Sequence, residues 1–326
     1  MEELPIDWSH PALRQHLALV RLQMTTPLSL LINIACIVIC STLVNPSLQT
    51  ISKLNPTPIS PRPSVILVYV ALIYLSQIGY CALLVLARKP ETKSTLTKGV
   101  GLPLVFANWL MALWAIAWVF EWFVAATVLC GLLLLFLLYS NVSLLVYHPP
   151  TSSRPFDTAL IHAPLRFFFV LQFALVFPLT LFIALGLKYT PMYDGTPMDP
   201  NAYGWPSFGV VLGTQLTSLL VVVLRRDIVW CVAATWICIS LWSLRPKAQS
   251  VYITAIIFTV IHPLALLFTI ARSYMNRPST VEHKPDHGPV ALSGDDSDHP
   301  ALNPHPSTES QIQGPREVNV DEVWGA

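Results

Sequence analysis

Long apolar runs separated by short charged or proline-rich breaks dominate this chain. Crossing the roughly 30 Å hydrocarbon core of a bilayer takes about 20 apolar residues at 1.5 Å of rise each. The breaks leave candidate spans at 27–44, 64–87, 101–120, 123–147, 161–187, 205–224, 228–245 and 251–272. The pattern therefore predicts an all-α fold, a polytopic transmembrane helical bundle of about eight spans. The third and fourth form one apolar stretch from Leu102 to Val146, too long for a single span, and Glu121 is where we divide it.

Ahead of the first span, Leu13, Leu17, Val20 and Met24 recur at helical spacing, with Arg14, His16 and Arg21 elsewhere around the turn and Ser9 placed as an N-cap. Residues 1–26 are thus expected to be a cytosolic segment holding an interfacial amphipathic helix. The plainer alternative is a helix that extends the first span into water. No short apolar core with a cleavage site precedes position 27, so the first span is expected to act as the insertion signal. From about Ser273 the composition turns to Pro, His, Ser, Asp and Glu, which bury too little surface to offset the entropy of ordering. Residues 273–326 are expected to be a disordered cytosolic tail behind a bundle at 27–272. Within that tail, Ser279-Thr-Val-Glu282 and Ser293-Gly-Asp-Asp296 have the look of acidic-directed phosphorylation sites, and Val318, Val320, Val323 and Trp324 that of a short docking motif.

Composition agrees with a lipid solvent. Charged residues make up 11% against roughly 25% in soluble domains, and mean hydropathy is +0.58. None of the 18 acidic residues falls inside a span, as a bilayer core requires of ionised groups. A net charge of +1 gives no case for a nucleic-acid partner. Of the 19 Lys and Arg, fourteen fall in alternate loops and the termini, while Lys53, Arg62, Lys188, Arg245 and Lys247 occupy the opposite loops. That bias, with an even span count, places both termini in the cytosol. All six cysteines lie in apolar runs and read as small packing residues.

Candidate chemistry is sparse. No phosphate-binding Gly-rich loop, metal cluster or nucleophile elbow is present, so neither an enzyme nor a cofactor is expected. What recurs is an uncharged polar residue or histidine near the middle of most spans: Asn33, Gln77, Asn108, Gln172, Gln215 and His262. At equal depth these groups either line a polar pocket at the midplane, where many carriers place substrates, or act as interhelical glue worth roughly 0.6 kcal/mol per contact. His262 precedes Pro263, which frees the carbonyl of Thr259, and the histidine either satisfies that disruption or titrates in a path. Trp114, Trp118 and Trp122 form an aromatic stripe beyond Asn108-Trp109. Arg166, four residues after His162, either snorkels to lipid phosphates or binds an anionic group. Gly209 and Gly213, followed by Thr217, make a small-residue ridge, read first as internal packing and otherwise as the seam of a homo-oligomer. The sequon Asn141-Val-Ser143 lies in a span and is expected to be unglycosylated.

Gln77-Ile-Gly-Tyr80, Phe106-Ala-Asn-Trp109, His162-Ala-Pro-Leu-Arg166 and Arg225-Arg-Asp227 followed by Trp230 and Trp236 together resemble a fungal multi-pass membrane family, domain of unknown function seventeen-seventy-four, over about 27–275. Over 64–245, Asn108-Trp109 and the Arg226-Asp227 turn are also similar to the tryptophan-rich sensory and translocator protein family. That second resemblance implies five spans and binding of porphyrins or sterols. The expected role is to bind or move a small amphipathic or lipidic molecule in the bilayer, with Asn108, Trp109, Trp114 and His262 as leading pocket residues and Gln77, Gln172 and Arg166 beside them. The rivals are a scaffold that recruits partners through its tail and an integral-membrane enzyme.

Overall fold

The computed structural model describes residues 11–147, 155–189 and 199–275. Ser9 and the two phosphorylation and docking motifs of the C-terminal segment lie outside these residues. Every regular element among the described residues is helical. Seven helices are long and apolar enough to cross a membrane: α1 (counted from His16 to Thr42 within Pro11–Thr42), α3 (Pro63–Leu86), α4 (Pro90–Val119), α5 (Phe123–Tyr147), α6 (Thr158–Ala184), α7 (Gly204–Arg225) and α9 (Gln249–Met275). The short α2 (Leu48–Leu54) joins α1 to α3, with Ser47 as its N-cap, and the 15-residue α8 (Ile228–Trp242) lies between α7 and α9.

At 15 residues α8 is about 22 Å long, shorter than its neighbours, and it is directed from one end of the bundle toward the other. Near its start Arg226 donates to Ser273 Oγ at the end of α9, and near its finish Ser240 O accepts from the amide of Arg62 at the start of α3. Seven membrane-length helices thus stand where about eight spans were expected, the shorter α8 filling the remaining place, and α1 begins at the same end at which α9 finishes. Two contacts tie that end together: Gln23 Nε2 donates to Leu84 O, and Thr92 Oγ1 donates to Asp157.

Burial separates an inner pair of helices from an outer ring. In α4 and α6, 61% of the most apolar window is buried, against 22–28% in the other five long helices. The outer helices turn Leu, Val and Ile outward, as lipid-facing helices do. Both inner helices contain wide π-helical turns, at Thr95–Val100 in α4 and at Thr158–His162 and Gln172–Val176 in α6. Such turns insert one residue into the ladder and are frequent at functional sites. In α4 the wide turn ends at Gly101, whose φ of +47° is a conformation that glycine adopts without a Cβ penalty.

Two boundaries differ from those expected. Residues 11–26 do not form a separate helix: α1 is continuous from Pro11 to Thr42 through Pro27. At 32 residues it is about 48 Å long, so it outruns the hydrocarbon core and its first turns stand beyond it. Residues 90–100, expected as loop, are helical and lengthen the third pass. The division at Glu121 holds, with α4 ending at Val119 and α5 starting at Phe123. Glu121 itself takes a left-handed φ of 59° in the turn.

At the opposite end, residues 55–60 form a cap pinned by cations. Lys188 Nζ donates to Asn55 Oδ1 at 2.7 Å, and Lys247 Nζ donates to Ser60 O at 2.6 Å and Pro58 O at 3.0 Å. Burial pushes the Lys247 ammonium down to about 7.

Candidate functional site

The mid-span polar residues sort into groups with partners and groups without. Asn33 of α1 donates through Nδ2 to Asn108 Oδ1 of α4 at 3.0 Å, and Tyr74 of α3 donates to Asn33 Oδ1 at 3.3 Å. Three helices are knitted by one small network. One turn along α4, Met111 Sδ accepts from Gln172 Nε2 at 3.5 Å, while Gln172 Oε1 accepts from Cys130 Sγ at 3.3 Å. Gln172 opens the second wide turn of α6 and so links the inner pair to α5. Cys130 therefore does more than fill space.

His262 sits in a third place, between α9 and α7. Its Nδ1 lies 2.8 Å from Phe258 O and its Nε2 lies 3.4 Å from Gln215 O. A neutral ring donates through one nitrogen, and the shorter contact assigns that role to Nδ1. The acceptor belongs to Phe258, not to the Thr259 carbonyl that Pro263 leaves free.

The unpartnered groups are more telling. Both amide atoms of Gln77 and both of Gln215 are buried with no hydrogen-bond partner, as are Asn108 Nδ2, Tyr80 Oη and Trp114 Nε1. A buried donor or acceptor left unmade costs about 1–3 kcal/mol, so the outlay is substantial for a chain that has satisfied Asn33 and Gln172 nearby. Gln77 and Gln215 belong to α3 and α7, which both pack on α6. The tight spot of the α3 contact is Gly79, where an added Cβ would stand 2.8 Å from Leu160 Cδ2.

The tryptophans divide. Trp109 is 40% exposed on the outer surface, although its neighbour Asn108 is fully buried. Trp114 is half-buried and packs tilted against Trp118 at 5.4 Å, and Trp118 meets Phe123 edge-on at 5.5 Å. The leading pocket residues are thus dispersed: Asn108 belongs to the α1–α3–α4 network, His262 to α9 and α7, and Trp109 to the lipid-facing surface.

Arg166 neither snorkels nor stands free. Its Nη1 lies 2.7 Å from Asp227 Oδ2, with both side chains buried. Asp227 Oδ1 also accepts from Trp230 N at 3.1 Å and caps α8. Reasoning from the sequence named both ends of this pair without joining them. The available signal was Asp227 itself, a carboxylate directly against an apolar run and an N-cap residue type. Asn141 is likewise committed inside its span, donating to Leu137 O and Leu165 O. The Gly209–Gly213 ridge has open space where added Cβ atoms would stand, so it does not serve internal packing among the described residues.

A family model described as TSPO-like protein matches residues 23–268, which is most of the bundle. This supports the second of the two resemblances; the first, to the fungal family, finds no support in it. No curated protein and no solved structure matches the chain.

Proposed function

Because the chain belongs to the TSPO-like protein family, we propose that it binds or moves a small amphipathic or lipidic molecule inside the membrane, without catalysis. The observation that carries this reading is the orphaned amides of Gln77 and Gln215, on two helices that both pack on α6. Glue residues find each other, as Asn33, Asn108 and Tyr74 do. An amide kept buried without a partner is suited to the polar group of a ligand that is otherwise apolar. Asn108 Nδ2 and Trp114 Nε1 offer donors of the same kind on α4. His262, whose ring is held through Nδ1 by the Phe258 carbonyl, is a support for this region more than a contact.

The test is a thermal-shift screen of purified protein against sterols, porphyrins and common lipids, repeated on Gln77→Leu and Gln215→Leu. Removing an orphaned amide should leave the unliganded protein as stable as before or more so. The same substitution should abolish the response to a ligand, which at 100-fold excess over its dissociation constant is worth about 2.7 kcal/mol. Leu variants that lose stability, with a ligand response that survives, would overturn the reading. A homo-oligomer through the outward Gly209 and Gly213 is part of the same proposal, and cross-linking in membranes with Gly213→Leu as the comparison tests it. The scaffold alternative rests on the tail beyond the described residues.

A further inference from the structure

A second site stands apart from the midplane. Between the first turns of α1 and the start of α4 lies a cleft of about 220 Å³, large enough for a headgroup fragment and too small for a whole lipid or sterol. Its polar lining is His16, Lys93, Ser94, Thr97 and Lys98, over an apolar floor of Leu19 and Pro90. Every polar group in it can donate, and no carboxylate lines it. Among the described residues neither Lys93 nor Lys98 pairs with an acidic side chain.

Depth places the cleft. The membrane-crossing part of α1, His16–Thr42, has 27 residues and is about 40 Å long, against roughly 30 Å of hydrocarbon and 40–45 Å with the headgroups. His16 therefore stands at headgroup level. The 30 residues of Pro90–Val119 overrun the core in the same way, so Lys93 stands there too. The wide turn at Thr95–Val100 forms the wall that bears Thr97 and Lys98, and it is fixed from behind where Ser143 Oγ donates to Lys98 O. Arg21, Arg88 and Lys89 add to the positive charge near this end. A preformed cleft with two lysines and no carboxylate in its lining suits a phosphate at that depth.

We propose that this cleft binds the phosphate of an anionic lipid headgroup, with Lys93 and Lys98 as the ion-pairing side chains, Ser94 as a hydrogen-bond donor and Leu19 against the glycerol. The site does not depend on the ligand reading of the midplane amides. It is tested on the full chain in phosphatidylcholine nanodiscs with and without phosphatidic acid, with bound lipid counted by native mass spectrometry. The expected result is retention of phosphatidic acid by the wild type, with apparent affinity weakened roughly tenfold or more in Lys93→Gln/Lys98→Gln. It should be unchanged in Lys53→Gln at the other end of the bundle and restored in Lys93→Arg/Lys98→Arg, which keeps the charge and reports that the fold is intact. Equal affinity in the double Gln variant would overturn the site. A second arm adds millimolar inorganic phosphate: failure to displace the lipid supports a headgroup site, and full displacement would reassign the cleft to soluble phosphate and overturn the lipid.

Discussion

Asp227→Asn removes one negative charge and little else, because asparagine is nearly isosteric and still offers the oxygen that caps α8 at Trp230 N. What it leaves behind is the Arg166 guanidinium, with 8% of its side chain exposed and its 2.7 Å partner neutralised. Removing one member of a buried ion pair costs about 3–5 kcal/mol, most of it the penalty of a stranded charge. Asp227→Ala loses the cap as well and should cost about 1 kcal/mol more. Arg166→Met strands the carboxylate instead, but that carboxylate keeps the Trp230 amide and the favourable start of α8, so the loss should be smaller than for Asp227→Ala. Arg166→Met with Asp227→Asn leaves no stranded charge and should recover most of the stability, giving a coupling of about 3 kcal/mol or more in a double-mutant cycle. Denaturant unfolding in detergent micelles, followed by tryptophan fluorescence, reads these values. Single variants within about 0.5 kcal/mol of wild type that add without coupling, as exposed pairs do, would mean that Arg166 reaches lipid phosphates or water, and would refute the pairing.

Four further outcomes are expected. Lys247 is held near 7 against an ordinary value of 10.5, so above about pH 7 the unfolded chain binds a proton that the folded chain does not, and stability should rise from pH 7 toward pH 9; Lys247→Met should flatten that rise in a melting series. Glu121→Gly relieves a left-handed φ of 59° in the α4–α5 turn and should stabilise by about 1 kcal/mol in the same unfolding assay. Gly79→Leu forces a side chain into the α3–α6 contact, where even a Cβ meets Leu160 at 2.8 Å, and should cost roughly 1–3 kcal/mol. Gly213→Leu, with open space outside it, should leave the melting temperature of the protomer within a degree or so, about what a surface change does.

The passes were legible because lipid imposes a length and an apolarity that a sequence displays directly. The turn at Glu121 was legible for the same reason, since one carboxylate in an apolar stretch has to reach water. Residues 90–100 were misjudged because Lys93 and Lys98 look like loop charges, yet a helix longer than the hydrocarbon core carries charge at headgroup depth without penalty. Likewise the amphipathic spacing of Leu13 to Met24 describes which face is apolar, not whether the helix bends to lie on the surface; a backbone ladder that continues through Pro27 decided that. The Arg166–Asp227 pair and the Asn33–Asn108–Tyr74 network join residues far apart in the chain. Helical periodicity gives each residue a depth and a face but no neighbour across the bundle, so the partners stayed unassigned.

That limit bears on function, because in a bilayer the apolar surfaces of two helices gain little by leaving lipid for each other. Polar groups then decide which helices meet, and a polar residue at mid-span has two uses that look the same in sequence. Asn33 and Gln172 are spent on neighbours: their amides reach α4, and Gln172 also takes the Cys130 thiol. Gln77 and Gln215 are as deeply buried, and among the described residues their side-chain amides have no partner. Their helices both pack on α6, the inner helix whose ladder widens at Thr158–His162 and again at Gln172–Val176. A wide turn rotates the faces that follow it, so helices on either side of α6 meet it out of register with a regular ladder. Polar groups that miss their partners for that reason are placed to receive one from outside. On the proposed reading, what marks a ligand-binding residue in this bundle is the absence of a partner, which neither its type nor its depth reveals.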